Sequence, residues 1–316
     1  MRLVGVVILK NEADILEAFV RHQLHYLDRL VVVDHASDDA SAQILARLRD
    51  EGLPLDLHRL EDLAFDHARH MSAALRMAAR TAPAEHYLAL DADEFVRCAS
   101  GDALRDALAA VPAGRVGQLR WQTQVPSADP AARDDPHVLH RLTRRIAHEP
   151  RVQHKVVLPR ELVLRDDWRI ATGNHWVHRV VDGTLSERLP GLDLDGVRLA
   201  HLPLRSPSQL VRKVVLGWFG HRLALGRAAR QLPLNWHWHA LFRRIVAGTP
   251  PTWDDLPALA AEAYSSELPE PVHGPPVLVD DPLPVHGEQR WPELAVVDPL
   301  LDLVRWTDRL VEAATR

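Results

Sequence analysis

Apolar and polar positions follow two alternating patterns through the first hundred residues. Leu3 to Leu9 is an unbroken, β-branched-rich apolar run, as in a strand buried on both faces. Residues 12 to 27 then place Ile15, Leu16, Phe19, Val20, Leu24 and Leu27 at helical spacing. Arg29 to Asp34 predicts a second buried strand. The polar turn His35 to Ser41 follows, with Ser41 as the expected cap of a helix through Leu48. Leu55 to Leu60 predicts a weaker strand, Asp66 to Arg80 a helix and His86 to Leu90 a fourth strand. This alternation predicts an α/β fold of Rossmann type, a mostly parallel sheet with right-handed crossovers and helices on both faces.

Beyond residue 100 the pattern is less regular. Gly101 to Leu108 reads as a short helix, and 115 to 125 and 137 to 181 as short strands and loops rich in Arg, His and Trp. Ser208 to Arg230, Trp236 to Ala247, Leu256 to Tyr264 and Leu294 to Ala314 read as helices. Residues 268 to 292 are Pro-rich and extended. The expected division is a domain over 1–205, with halves 1–100 and 101–205, and a helical region over 206–316 packed on it.

The 316 residues are 47% hydrophobic and 26% charged, which excludes a disordered chain or a disulfide scaffold. Cys98 is the single cysteine, so no intrachain disulfide or four-cysteine zinc site can form. A net charge of −5 argues against a nucleic-acid partner. The seven-residue opening run is too short for a signal peptide core or a membrane span, so a cytoplasmic protein is expected. Lys10, Lys155 and Lys213 are the only lysines among 38 basic residues, which marks each for attention.

Ligands of such sheets bind beyond the carboxyl ends of the strands. Three of those ends are polar here: Lys10-Asn11-Glu12, Asp34 to Asp39, and Asp91-Ala92-Asp93-Glu94. Three acids in four residues repel one another unless a cation or a hydrogen-bond network stabilises them. Hard oxygen ligands suit Mg²⁺ or Mn²⁺, which leave positions open for phosphate. The bland alternative is a solvated acidic loop. Asp34 suits ribose or base contacts as well as a turn, and Glu12 a first helical turn. The first strand is followed by no Gly-x-Gly-x-x-Gly, and the chain has no P-loop.

Together these segments carry a resemblance. Val6 to Asp14 resembles the first strand of family 2-like glycosyltransferases of the GT-A fold, and Val31 to Asp39 their second-strand motif. Leu90-Asp91-Ala92-Asp93-Glu94-Phe95 is similar to the Asp-x-Asp-Glu-Phe form of one branch, and His201-Leu202-Pro203-Leu204-Arg205-Ser206 to its His-Tyr-Pro-x-Arg-Ser element. The match covers roughly residues 1 to 220, with Ala36 in place of the usual Gly and His35 where many relatives have Asp. The resemblance implies a nucleotide-sugar-dependent hexosyltransferase with a GT-A-like domain over 1–205. Asn11, Glu12, Asp34 and Asp91 would bind the nucleotide; Lys155 could contact phosphate as a point charge, and Lys10 and Lys213, placed in or beside the matching motifs, join the nucleotide-sugar-binding candidates. Asp93, Asp91 and His201 would form a site for Mn²⁺ or Mg²⁺.

The expected reaction is direct displacement with inversion, in which a base deprotonates an acceptor hydroxyl. Base candidates are Asp166, Asp167, Glu149 and His175, an acid being favoured. A UDP-sugar is the first expectation for the donor, and a glycan, lipid-linked or small-molecule hydroxyl for the acceptor. Asn235-Trp236-His237-Trp238-His239 could stack an acceptor sugar, although core packing explains the indoles more simply. Arg212, Lys213, Arg222, Arg227 and Arg230 beside Val214, Leu216, Trp218 and Phe219 allow peripheral contact with the inner membrane. The alternatives are a metal-dependent sugar nucleotidyltransferase and a non-catalytic carbohydrate-binding protein.

Overall fold

The computed structural model describes residues 1–61, 66–225, 236–265 and 275–315. The chain divides into two compact units. The first contains Met1–Gln122, Val152–His201 and Leu283–Trp291, and the second Thr123–Arg151, Leu202–Pro282 and Pro292–Arg316. A division at residue 205 has no place for 123–151 in the later unit or for 283–291 in the earlier one. Both placements depend on pairing across long sequence separations.

In the first unit β1 (Leu3–Leu9), α1 (Ala13–Tyr26), β2 (Arg29–Asp34), α2 (Ser41–Asp50), β3 (Leu55–Arg59), α3 (His67–Thr81) and β4 (His86–Leu90) follow the alternation read from the sequence. β1 pairs in parallel with both β2 and β4, and β2 with β3. The chain therefore runs outward to β3 and returns to the other side of β1. That reversal is a topological switch point, where crevices open beyond the strand ends.

Next come β5 (Glu94–Arg97), α4 (Gly101–Ala109), β6 (Val116–Val125), α5 (Val138–Arg141), β7 (Arg144–Ile146) and β8 (His154–Pro159). β8 lies antiparallel between β4 and β6. The mostly parallel α/β sheet expected from the sequence is present. α6 (Arg160–Val163), β9 (Trp168–Ile170), β10 (Val177–Val181), β11 (Thr184–Arg188) and β12 (Gly191–His201) complete this part. β9, β10 and β11 form a separate three-stranded sheet, and β12 runs antiparallel to β5. Asp182 and Gly183 join β10 to β11, both with positive φ (50° and 75°), which suits a tight hairpin.

Strand alternation decides what the core holds. Val4, Val6 and Ile8 of β1 pack with Met71, Leu75 and Ala78 of α3. The opposite face is covered by α1 and α2, which bury Phe19, Ile44 and Leu48. Ser41 begins α2 but does not cap it. Its Oγ accepts from Glu12 N at 3.0 Å instead.

α1 also positions β5. Gln23 Nε2 donates to the Glu94 carbonyl (2.5 Å) and His22 Nε2 to the Val96 carbonyl (2.7 Å). Burial lowers His22 from 6.5 to about 4, against the opposing effect of its bond to Val96. The neutral ring packs on Phe95, Tyr26 and His286. The unfolded chain therefore binds the proton more tightly, and this contribution to stability is lost as pH falls from about 6.5 towards 4. Its full size is about 3 kcal/mol. Urea denaturation across that range should show a weaker acid dependence in His22→Gln than in the parent. His137, also lowered to about 4 by burial, keeps its own slope in both.

The second unit pairs the end of β6 with β7, and β7 with β13 (Leu278–Asp280). Its helices are α7 (Pro207–Leu225), α8 (Trp236–Val246), α9 (Leu256–Ser265) and α10 (Pro299–Thr315). Leu204, Leu210, Val214, Leu241, Leu256 and Ala260 form its core. Arg212 is buried against Asp302 at 3.5 Å. Arg212 and Val214 thus face inward, not towards a lipid surface as the membrane reading needs. The side chain of Arg222 and residues Arg227, Arg230 and Asn235 lie outside the described residues, as do the side chains of Trp236, His237 and Trp238. His239 stacks on Trp218. Among the described residues no helix is long and apolar enough to cross a membrane.

Candidate active site

The ends of β1 and β2 are joined by cross-loop hydrogen bonds. Asn11 N donates to Ser37 Oγ (2.9 Å), Asp38 N to Asn11 Oδ1 (2.7 Å) and Ala13 N to Asp39 Oδ2 (3.1 Å). Asn11 has φ 56° and Ala36 φ 48°, left-handed geometry that costs a non-glycine residue about 1–2 kcal/mol. This explains why glycine would be the ordinary choice at Ala36. Asp34 is buried, accepts from Ser37 N at 3.0 Å, and pairs with Arg59 at 3.3 Å. The Glu12 carbonyl accepts from Ile15 N and Leu16 N, which starts α1. Lys10 is half-buried at the end of β1, and Lys213 stands half-buried on α7 in the second unit.

The turn after β4 holds the acids. Asp91 N donates to Glu94 Oε2 (3.0 Å), and Glu94 N to the Asp91 carbonyl (3.1 Å). Glu94 is fully buried. Lys155 comes from the antiparallel neighbour β8, with its side chain 1% exposed. Its Nζ lies 2.5 Å from Asp91 Oδ2 and 3.0 Å from Glu94 Oε1. Burial alone would raise Asp91. The Lys155 ammonium, with His67 beside it, outweighs burial and holds Asp91 below the usual carboxylate range. Burial pushes Glu94 up to about 8, helped by Asp91 and Asp93 and opposed by Lys155. The two carboxylates outweigh burial at Lys155 and hold its ammonium above the usual lysine value.

Asp91 has further neighbours that were not among the expected site residues. Asn174 Nδ2 donates to Asp91 Oδ1 at 3.2 Å, and His67 Nε2 lies 3.8 Å from the same oxygen. Asn174 is fully buried. Gly173 and Asn174 both have positive φ (78° and 59°). A Cβ at Gly173 would meet His175 Nε2 at 2.6 Å, so glycine is required there twice over. The Gly-Asn pair was the available signal, since these residues favour left-handed turns.

β12 pairs His201 with Glu94 in register. That places His201 Nε2 3.6 Å from Asp93 Oδ2, both side chains being buried. Trp121 stacks on His201 with centroids 4.1 Å apart, meets the His175 ring edge-on at 5.3 Å, and lies under Lys155 Nζ at 5.1 Å. His175 Nδ1 faces the His154 carbonyl at 2.9 Å, an acceptor, so that nitrogen carries the proton. Asp91, Asp93, Lys155, His201 and His175 are thus brought into one connected group.

Asp166 and Asp167 make other contacts. Asp166 is 98% exposed and lies 3.9 Å from Arg76, while Asp167 pairs with Arg165. Glu149 accepts from Thr123 N and Oγ1 in the second unit. Among the described residues no three His, Cys, Asp or Glu side chains gather closely enough to hold a metal ion unaided. Asp93 and His201 offer two donors, an oxygen and a nitrogen. That set suits Mn²⁺ when diphosphate oxygens and water supply the remaining positions.

Residues 6–110 match the family model described as glycosyl transferase family 2. No curated protein sequence matches the chain. Among solved structures, S. aureus TarS 1-349 aligns at 16% identity over 78% of this chain and 73% of its own, with a TM-score of 0.38. The mannosyltransferase PcManGT from Pyrobaculum calidifontis, in complex with GDP-Man and Mn²⁺, aligns at 19% identity over 84% of this chain and 85% of its own, with a TM-score of 0.35. A putative glucose-1-phosphate thymidylyltransferase from Bacillus anthracis aligns at 8% identity over 42% of this chain and 56% of its own, with a TM-score of 0.27.

Proposed function

We propose, from the match of residues 6–110 to the glycosyl transferase family 2 model, that the chain is a glycosyltransferase that moves a sugar from a nucleotide donor to an acceptor hydroxyl with inversion, aided by a divalent metal. The observation that carries this is the acid cluster beyond β4. It stands at the switch point of the sheet, with Asp91 engaged by Lys155 and Asn174 and Asp93 beside His201. Asn11 and Asp34 would border the nucleoside, with a UDP-sugar as the first candidate, and Lys10 and Glu12 would flank them.

Asp93 and His201 would hold the metal. Asp91 would add negative charge near it while keeping its own oxygens on Lys155 and Asn174. When bound, the metal supplies positive charge to the departing diphosphate. Lys155 keeps the turn from repelling itself apart. His175, with Nδ1–H directed at the His154 carbonyl, would offer Nε2 as the base for the acceptor hydroxyl. Asp166 and Asp167 already face arginines, which favours His175 over either acid.

A thermal-shift screen of UDP-, GDP- and dTDP-sugars, with and without Mn²⁺, tests the reading. One nucleotide series should raise Tm by several degrees, and more with Mn²⁺ than without. Release of nucleoside diphosphate should accompany it. No shift and no release across the panel would overturn the proposal.

A further inference from the structure

The sheet of β9, β10 and β11 has one face whose charge the donor chemistry does not use. His178 of β10 pairs in register with Arg169 of β9 on one side and Arg188 of β11 on the other. Residues directly opposite in a sheet share a face, so these three form one row across three strands with an arginine at each end. The arginines at its ends are separated by two strand spacings, about 10 Å between Cα atoms. Both are exposed.

Neither arginine has an acidic partner among the described residues, although acids are close at hand. Asp166 faces Arg76, Asp167 pairs with Arg165, and Glu187 lies 3.5 Å from Arg179. Asp182 sits at the hairpin tip, beyond the row. The Arg188 guanidinium carbon instead lies over Trp176, 3.8 Å from the ring centroid. Such stacking restrains a guanidinium while leaving its N–H fork available to an oxyanion. His178 Nδ1 donates to the Ser186 carbonyl at 2.9 Å, so its ring is also held.

A series of ring contacts links the row to the acid cluster. Trp176 packs on His175 with centroids 5.7 Å apart, His175 on Trp121 at 5.3 Å, and Trp121 on His201 at 4.1 Å. His201 in turn lies beside Asp93. A continuous run of rings therefore connects the cationic face with the candidate donor site.

We propose that this face is the acceptor subsite and that it takes an acidic saccharide, one whose phosphate or carboxylate lies between Arg169 and Arg188. The proposal rests on the transferase reading above and adds the acceptor's chemical class. Neutral sugars would leave the two arginines without a counterion, whereas an oxyanion would pair with a fork already oriented.

Titration calorimetry at low salt, with tetragalacturonate, glucose 6-phosphate and maltotetraose as probes, tests it. The two acidic probes should bind and the neutral one should not. Arg169→Gln/Arg188→Gln should weaken both acidic probes at least tenfold, and 0.5 M NaCl should do the same to the parent. Trp176→Ala should weaken them less, because it releases Arg188 without removing it. In a transfer assay the double variant should raise the acceptor KM far more than it lowers kcat. Equal binding of maltotetraose, or unchanged binding of the acidic probes by the double variant, would overturn the inference. If sugar nucleotides are turned over but acidic probes are ignored, this inference alone fails. If acidic probes bind through the arginines but no sugar nucleotide binds or turns over, the transferase reading fails and the acceptor assignment goes with it.

Discussion

Asp93→Ala is expected to lower kcat for sugar transfer by about 10³-fold or more, while the protein folds as well as the parent. The two halves of that result have different causes. Asp93 is buried beside His201 and is half of the donor pair proposed for the metal. Without it, the diphosphate would leave with little of its charge neutralised. For stability the sign reverses, because Asp93 raises the proton affinity of both Asp91 and Glu94 by repulsion. Its removal relieves that repulsion, so urea denaturation should give a midpoint at or above the parent's. Nucleoside diphosphate release, measured beside the urea midpoint, separates an active-site role from a structural one. Full activity in Asp93→Ala would remove the metal assignment. His201→Ala should reproduce the loss more weakly.

Lys155→Met is expected to do the opposite and cost about 3–5 kcal/mol of stability. Its ammonium lies inside the protein between Asp91 and Glu94, with Glu94 fully buried. Removing it leaves two carboxyls facing each other around an apolar stem, with Trp121 covering the site. A buried charge stripped of its partner is among the few causes of single-substitution losses this large. Adding Glu94→Gln to Lys155→Met removes one of the stranded acids and should recover part of the loss. Lys155→Arg keeps the charge but needs room for a planar fork in a pocket shaped for an ammonium, so it should fall between parent and Lys155→Met. Chemical denaturation of the parent, these three variants and the Glu94→Gln single variant tests the series. Additive losses for Lys155→Met and Glu94→Gln would show that the residues do not act as a pair.

Much of the first hundred residues was legible because its signals are local. Apolar runs marked β1, β2 and β4, and helical spacing marked α1 and α3 within a residue or two of their ends. The polar clusters after those strands were visible for the same reason. Ser41 shows the limit. Its type and position suit a cap, but Glu12 N lies within reach once β1 and β2 are side by side, and the hydroxyl accepts there instead. β5, β11 and β12 were not found. β5 is four residues long, β11 is exposed throughout, and the apolar–charged alternation of β12 changes phase at Gly196, where φ is 66°.

By itself the sequence determined the alternation of strands and helices, the acid cluster after the fourth strand and the scarcity of lysine. These follow from residue type and spacing over a few turns of chain, where side-chain periodicity decides which face is buried. The tertiary structure alone decided which residues meet those acids. Lys155 reaches Asp91 across 64 residues because β8 enters the sheet antiparallel beside β4. Asn174 reaches it across 83 because a left-handed turn directs its amide there, while His175 turns to Trp121. His201 stands by Asp93 because of the register between β5 and β12, and a slip of one residue would turn it to the other face. Pairing of this kind depends on register and crossover, which local spacing does not encode.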